Sequence, residues 1–154
     1  MRIAWSKNFN LGIDVIDAQH MRIMGYINDL DDAIQMPELF KKERVIRVLG
    51  DLTDYTESHF SFEEAMLEDA GFPSLMTHKQ LHKLFIQRLN SYIERFKTGE
   101  DITGELRGTL ARWLLNHIKV QDGSYVKYIK APPRPEPRDP ATASLWKRLF
   151  SRNK

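Results

Sequence analysis

The amino-acid sequence predicts an all-α fold: an antiparallel up-down-up-down four-helix bundle with an N-terminal arm and a C-terminal extension. Three observations carry this. Apolar residues recur at helical spacing through four long segments, the joints between them are short and hold Pro or Gly, and strand-like alternation of any length is missing. The chain has 154 residues, enough for one domain with a real core. Apolar residues make up 42% and charged residues 29%, the balance of a soluble globular protein.

Residues 1–16 mix Trp5, Asn8, Phe9, Asn10 and Gly12 without helical period, which reads as an ordered arm. Helical spacing begins at Asp17, a candidate N-cap, and Ile23, Met24, Ile27, Leu30 and Ile34 form one stripe until Pro37 stops it. A second helix is expected from Glu38 to Asp69, with Val45, Leu49, Leu52, Tyr55, His59 and Phe62 inward and Gly71 as its C-terminal cap. A third spans Ser74 to Lys97 and ends at Gly99. The fourth starts near Asp101 or Thr103, passes through Leu106, Leu110, Trp113 and Leu114, and fades around Ile129.

Residues 1–130 therefore read as the bundle. Residues 131–140, "APPRPEPRDP", hold five prolines and read as an extended, semi-rigid linker. Residues 141–154 return to helical spacing: Leu145 with Leu149 and Trp146 with Phe150 make an apolar stripe, and Lys147, Arg148 and Arg152 fall largely off it. The expected role of this basic amphipathic tail is weak docking on an anionic membrane surface, with a groove on a partner protein as the alternative.

Charge and cysteine content narrow the function classes. The net charge is +2; residues 131–154 carry six Lys/Arg and two Asp/Glu, a net of +4, so residues 1–130 sum to −2. The bundle lacks the basic surface of a nucleic-acid binder. With no cysteine, disulfides, thiolate zinc sites, cysteine-ligated iron–sulfur clusters and a cysteine nucleophile are excluded. The start, "MRIAWSKNFNLGID", has no apolar run of signal-peptide length, so the expected compartment is the cytoplasm, with the tail bringing the protein to the inner face of the membrane.

The five histidines are the sharpest signal. His78 and His82 lie one turn apart on one helix face, the spacing by which a helix offers two imidazoles to one metal. His59 and Glu63 share that spacing on the preceding helix. In antiparallel topology the start of helix one, the end of helix two, the start of helix three and the end of helix four meet at one end of the bundle. His20, His59, Glu63, His78, His82, His117 and Asp122 occupy those places. Either pair alone is a common accident; together they leave no histidine over, and buried carboxylates need the compensation a metal supplies. Five imidazoles exceed one tetrahedral zinc, so two cations fit better, iron or manganese by geometry and zinc by affinity. One spacing is odd: His117 and Asp122 are five residues apart, which in a regular α-helix overshoots a common face by about 140°.

The pattern His20, His59-x3-Glu63, His78-x3-His82, His117-x4-Asp122 resembles the hemerythrin family, and within it the single-domain bacteriohemerythrins. The opening "WSKNFNLGIDVIDAQH" resembles it too, as do "HFSFEE" and "WLLNHI"; the likeness covers about residues 1–130. It implies a non-haem di-iron centre that binds dioxygen reversibly. His78, His82 and His117 would ligate one iron, His20 and His59 the other, and Glu63 and Asp122 would bridge them with an oxo or hydroxo group. Asp122 must then reach the second iron while His117 holds the first, which asks for a loosened helical turn between them. The two-histidine iron keeps a vacant position for dioxygen. By the same resemblance Ile23, Phe60, Trp113, Leu114 and Ile118 would form a dry oxygen pocket, Leu114 first among them.

The expected function is oxygen storage, transport or delivery by a monomer that is not an enzyme. Carboxylate-rich di-iron oxygenases use Glu-x-x-His motifs, which this chain lacks. The alternatives at the same site are an oxygen, redox or nitric oxide sensor, an iron store, or a slow peroxidase.

Overall fold

The structure is a computed structural model that describes residues 2–130; the linker and tail helix expected over 131–140 and 141–154 lie outside the described residues. Four long helical segments account for most of it. Helix α1 spans Asp14–Ile34, α2 Glu38–Asp69, α3 Leu75–Lys97 and α4 Thr103–Asn116. Beyond α4 the chain continues through a π-helical turn at His117–Gln121, a 3-10 turn at Asp122–Ser124 and a last helix, α5, at Val126–Ile129. Helix α1 packs against both α2 and α4, and α2 packs against α3, the arrangement of a four-helix bundle.

The chain reversals follow from local chemistry. Gly71 takes φ +64°, which frees the Phe72 N–H to bond the Leu67 carbonyl at 2.9 Å and the Gly71 N–H to bond Glu68 at 3.0 Å. This pair of bonds ends α2 by satisfying its last carbonyls and turns Phe72 inward. Gly99, at φ +91°, ends α3 in the same way through Glu100 to Arg95 and Gly99 to Phe96. Helix α4 is started by Asp101, whose carboxylate accepts from both the Thr103 N–H and its hydroxyl.

Two expectations are corrected. Helix α1 begins three residues before Asp17, behind Ile13 as its N-cap. Asp17 instead reaches back from the first turn, accepting the N–H groups of Leu11 and Gly12 at 2.8 and 3.0 Å. It thereby ties the arm to the bundle. The inward stripes also shift. Ile34 and Phe62 are exposed, while Ala33, Thr56, Phe60 and Glu63 are buried, because the buried face of each helix follows the i, i+4 rows.

The arm is extended apart from a 3-10 turn at Lys7–Phe9, and it packs Ile3, Trp5, Phe9 and Leu11 against the core. The Asn28 amide pairs with both backbone groups of Ile3. The main core runs from Ala33 and Ile102 at one end to Phe60 and Ile118 at the other. A second, smaller cluster of Leu67, Phe72 and Tyr125 closes the bundle beyond that end. Between the two lie the histidines.

Asp17→Ala removes the acceptor of two backbone donors in a nearly buried position. It is expected to lower stability by about 2–3 kcal/mol, read by chemical denaturation, with Trp5 fluorescence reporting a loosened arm. Unchanged stability would show that the arm is held by its apolar contacts alone.

Candidate metal centre

Seven ionisable side chains meet between the two cores, and none of them is more than 3% exposed. His20 comes from α1, His59 and Glu63 from α2, His78 and His82 from α3, His117 from the π-helical turn and Asp122 from the 3-10 turn. These are the seven candidates of the sequence, and the structure brings all of them together. Three overlapping groups each gather their ligand atoms within 4.8 Å: His20, His59 and His117; Glu63, His78 and His82; Glu63, His117 and Asp122. Glu63 and His117 each belong to two of the three groups, and His117 touches both ends of the cluster. Its Nε2 lies 3.4 Å from His59 Nε2 and 3.2 Å from Asp122 Oδ2, and its ring centroid lies 5.3 Å from that of His82.

The π-helical turn accounts for the five-residue spacing. The Asp122 N–H bonds to the carbonyls of His117 and Ile118, so a widened ring replaces the regular one. The extra residue returns Asp122 to the inward face that a regular helix would have carried it past. Its Oδ2 then lies 3.0 Å from His20 Nε2, and its Oδ1 lies 3.7 Å from His78 Nε2.

Partners behind the rings decide which nitrogen faces inward. His59 Nδ1 lies 2.8 Å from Gln19 Oε1, His117 Nδ1 lies 2.9 Å from Gln121 Oε1, and His82 Nδ1 lies 2.8 Å from the Glu64 carboxylate. These oxygens accept, so each Nδ1 carries the proton and each Nε2 turns a lone pair to the centre. Glu63 is positioned on both oxygens: Oε2 lies 3.0 Å from His78 Nε2 and 3.1 Å from His82 Nε2, and Oε1 accepts from the Tyr125 hydroxyl at 2.5 Å. Both nitrogens of His20, His82 Nε2 and both oxygens of Asp122 lack a hydrogen-bond partner among the described residues. Orphaned lone pairs at this density cost folding energy unless a cation meets them. The donor set fits a metal.

Electrostatics point the same way. Burial lowers the pKa of His20 to about 3 and of His59 to about 4, and it holds His117 well below its ordinary value. The rings are therefore neutral and able to ligate. Burial alone would raise Glu63, but the hydrogen bond from His78, with the His82, His117 and His59 rings nearby, holds it well below the usual carboxylate range. Asp122 is pushed well above that range by burial and by the Glu63 charge. Two carboxylates this close cannot both stay ionised without added positive charge.

The five pocket candidates line the same region. Ile23, Phe60, Leu114 and Ile118 are buried in the main core, and Trp113 packs against it half-buried. Phe60 stacks on the His82 ring at 3.7 Å between centroids, and Trp113 stacks on His117 at 4.7 Å. Sequence reasoning missed Phe85, which stacks on Trp113 at 3.7 Å, and also Gln19, Glu64, Gln121 and Tyr125. Each of these four had a signal. Gln19 and Glu64 adjoin a ligand candidate, Gln121 follows His117 by four residues, and Tyr125 follows Asp122 by three.

Residues 11–129 match the model of the hemerythrin HHE cation binding domain. The chain is similar to a bacteriohemerythrin of Pseudomonas aeruginosa, 46% identical over 128 residues that span 83% of this chain and 82% of the relative. It is also similar to a bacteriohemerythrin of Stenotrophomonas maltophilia, 44% identical over 129 residues, 84% of this chain and 82% of the relative. Its fold matches the crystal structure of a wild-type hemerythrin with a TM-score of 0.77 at 23% identity, covering 85% of this chain and 100% of that one.

The lowered histidines set a pH dependence for the iron-free chain. An unfolded chain takes up protons on His20, His59 and His117 below about 6.5, where the folded chain does not. Their contribution is complete above that pH and is lost as pH falls toward 4. Asp122 opposes them, because the folded chain keeps a proton that the unfolded chain releases above 3.8. Three protons less one leaves two, so stability is expected to fall by roughly 3 kcal/mol per pH unit between pH 6 and 4, and Glu63 adds to the loss below 4.5, where the unfolded chain protonates it first. Thermal melts across that range check this. A flat profile would mean that the imidazoles are not held neutral.

Proposed function

The chain belongs to the hemerythrin family, and on that premise we propose that it binds dioxygen reversibly at a non-haem di-iron centre, for oxygen storage, transport or delivery. The observation that carries this reading is the convergence of seven buried side chains from α1, α2, α3 and the turns that follow α4, with lone pairs on His20, His82 and Asp122 that no protein donor meets. Five nitrogens and two carboxylates are a mixed donor set suited to six-coordinate iron. His78, His82 and His117 would hold one ion and His20 and His59 the other, with Glu63, Asp122 and one oxo or hydroxo group bridging. When bound, the ferrous pair supplies the two electrons by which dioxygen is held and recovers them on release.

The chain's own residues supply the rest. Gln19, Glu64 and Gln121 hold three rings with Nε2 inward. Tyr125 donates to Glu63 Oε1 and leaves Oε2 to the centre. Ile23, Phe60, Leu114, Ile118 and Trp113 exclude water and protons from the guest, which favours carriage over oxidation. On this reading the protein is a monomeric carrier and not an enzyme.

Anaerobic loading with ferrous iron is expected to give two irons per chain. Exposure to air should then produce a visible charge-transfer band that disappears under argon. One metal per chain, or a band that bleaches irreversibly, would overturn the reading. For the tail the sequence supports docking on an anionic membrane, since its apolar stripe suits an interface and each Lys/Arg adds about 1 kcal/mol there. Among the described residues no helix is long and apolar enough to cross a membrane. The full chain is expected to co-sediment with anionic vesicles at low salt, and a chain ending at Ile129 is not. Equal behaviour of the two would remove the membrane role.

A further inference from the structure

Helix α2 carries two inward threonines with different fates. The Thr53 hydroxyl donates to the Leu49 carbonyl at 2.8 Å, the ordinary way a helical threonine meets its hydrogen-bonding need. Thr56 is fully buried, and its Oγ1 has no partner among the described residues. A hydroxyl left so in an apolar interior is a cost that calls for an explanation.

Its position supplies one. Thr56 precedes His59 by three residues and Phe60 by four, so it shares their helix face one turn farther into the bundle. Counting one turn inward from the other rings gives Ile23 after His20, Phe85 after His82, and Trp113 and Leu114 before His117. Contact between the Tyr26 and Tyr55 rings, 5.9 Å between centroids, supports the α1–α2 register. Ile23, Thr56, Phe85 and Leu114 thus make a buried layer one helical turn in from the imidazoles, with Trp113 stacked between Phe85 and His117. Thr56 is the one buried polar member of that layer.

We infer that the Thr56 hydroxyl donates a hydrogen bond to the dioxygen held in this pocket and slows its release. The inference rests on the dioxygen reading above. An apolar wall confines a diatomic guest without orienting it. A guest that draws electron density from the iron pair becomes a hydrogen-bond acceptor, and the freely turning hydroxyl is the buried donor at the right level. Thr56 acts on the guest, not on the metal, so it is a specificity-determining residue of the pocket.

Thr56→Val keeps the shape and removes the donor; Thr56→Ser keeps the donor. With both irons retained, Thr56→Val is expected to release dioxygen about fivefold to tenfold faster in stopped flow, the effect of one hydrogen bond, and Thr56→Ser to return toward the parent rate. In iron-free chains, Thr56→Val should melt no lower than the parent, because no protein partner is lost. An unchanged release rate in an iron-replete Thr56→Val, beside a parent that oxygenates reversibly, overturns this inference alone. A lower iron-free melting temperature also overturns it, by showing that the hydroxyl has a partner in the fold. A parent chain that forms no reversible oxygenated species removes the dioxygen reading and this inference with it.

Discussion

Burying five imidazoles and two carboxylates in one small volume is the constraint on which this structure depends. Each ion taken from water into an interior costs several kcal/mol unless a partner compensates it. The chain meets that cost in two ways. It keeps His20, His59 and His117 neutral by burial and holds Glu63 ionised with hydrogen bonds from His78 and Tyr125. It leaves the remainder, the orphaned atoms of His20, His82 and Asp122, to a cation. Fold and metal are thus coupled, since a site tolerable only with its ion makes binding energy part of folding energy.

The rest of the architecture serves that cluster. Two apolar layers bracket it: the main core above and Leu67, Phe72 and Tyr125 below. The lower layer exists because Gly71 allows the turn that swings Phe72 inward, where its ring meets His78, Tyr125 and Tyr128 edge-on. Large aromatic groups fill the α3–α4 side of the bundle, with Phe85 on Trp113 and Trp113 on His117. At the far end Arg95 is paired with Glu100 and Glu105, and Tyr92 bonds both Glu105 and Thr109.

The π-helical turn shows how a local defect serves a global requirement. A regular helix through Asp122 would preserve one more ideal hydrogen bond and send the carboxylate toward solvent. The widened turn gives up regularity to place Asp122 beside His20 and His117, and it also sets Tyr125 where its hydroxyl reaches Glu63. One ligand candidate, Asp122, and one hydrogen-bond donor, Tyr125, gain their positions from a single added residue.

Much of this was legible in the sequence because helical periodicity is local. The i, i+4 pairs His59/Glu63 and His78/His82, the capping glycines and the misfit between His117 and Asp122 all lie within one or two turns, where chain geometry alone fixes which side chains meet. Antiparallel topology then needed only short joints to bring the seven groups to one level. Asp17 was misread because whether it caps its own helix or the arm depends on where the arm lies. Gln19, Glu64 and Gln121 went unassigned because their role depends on which way the rings of His59, His82 and His117 turn. Phe62 and Glu63 sit side by side in the chain, and packing decided that the carboxylate faces in and the phenyl ring faces out. Spacing along the chain determined which groups share a helix face; contacts between helices decided their orientation, protonation and partners, because those depend on distances that no single helix sets.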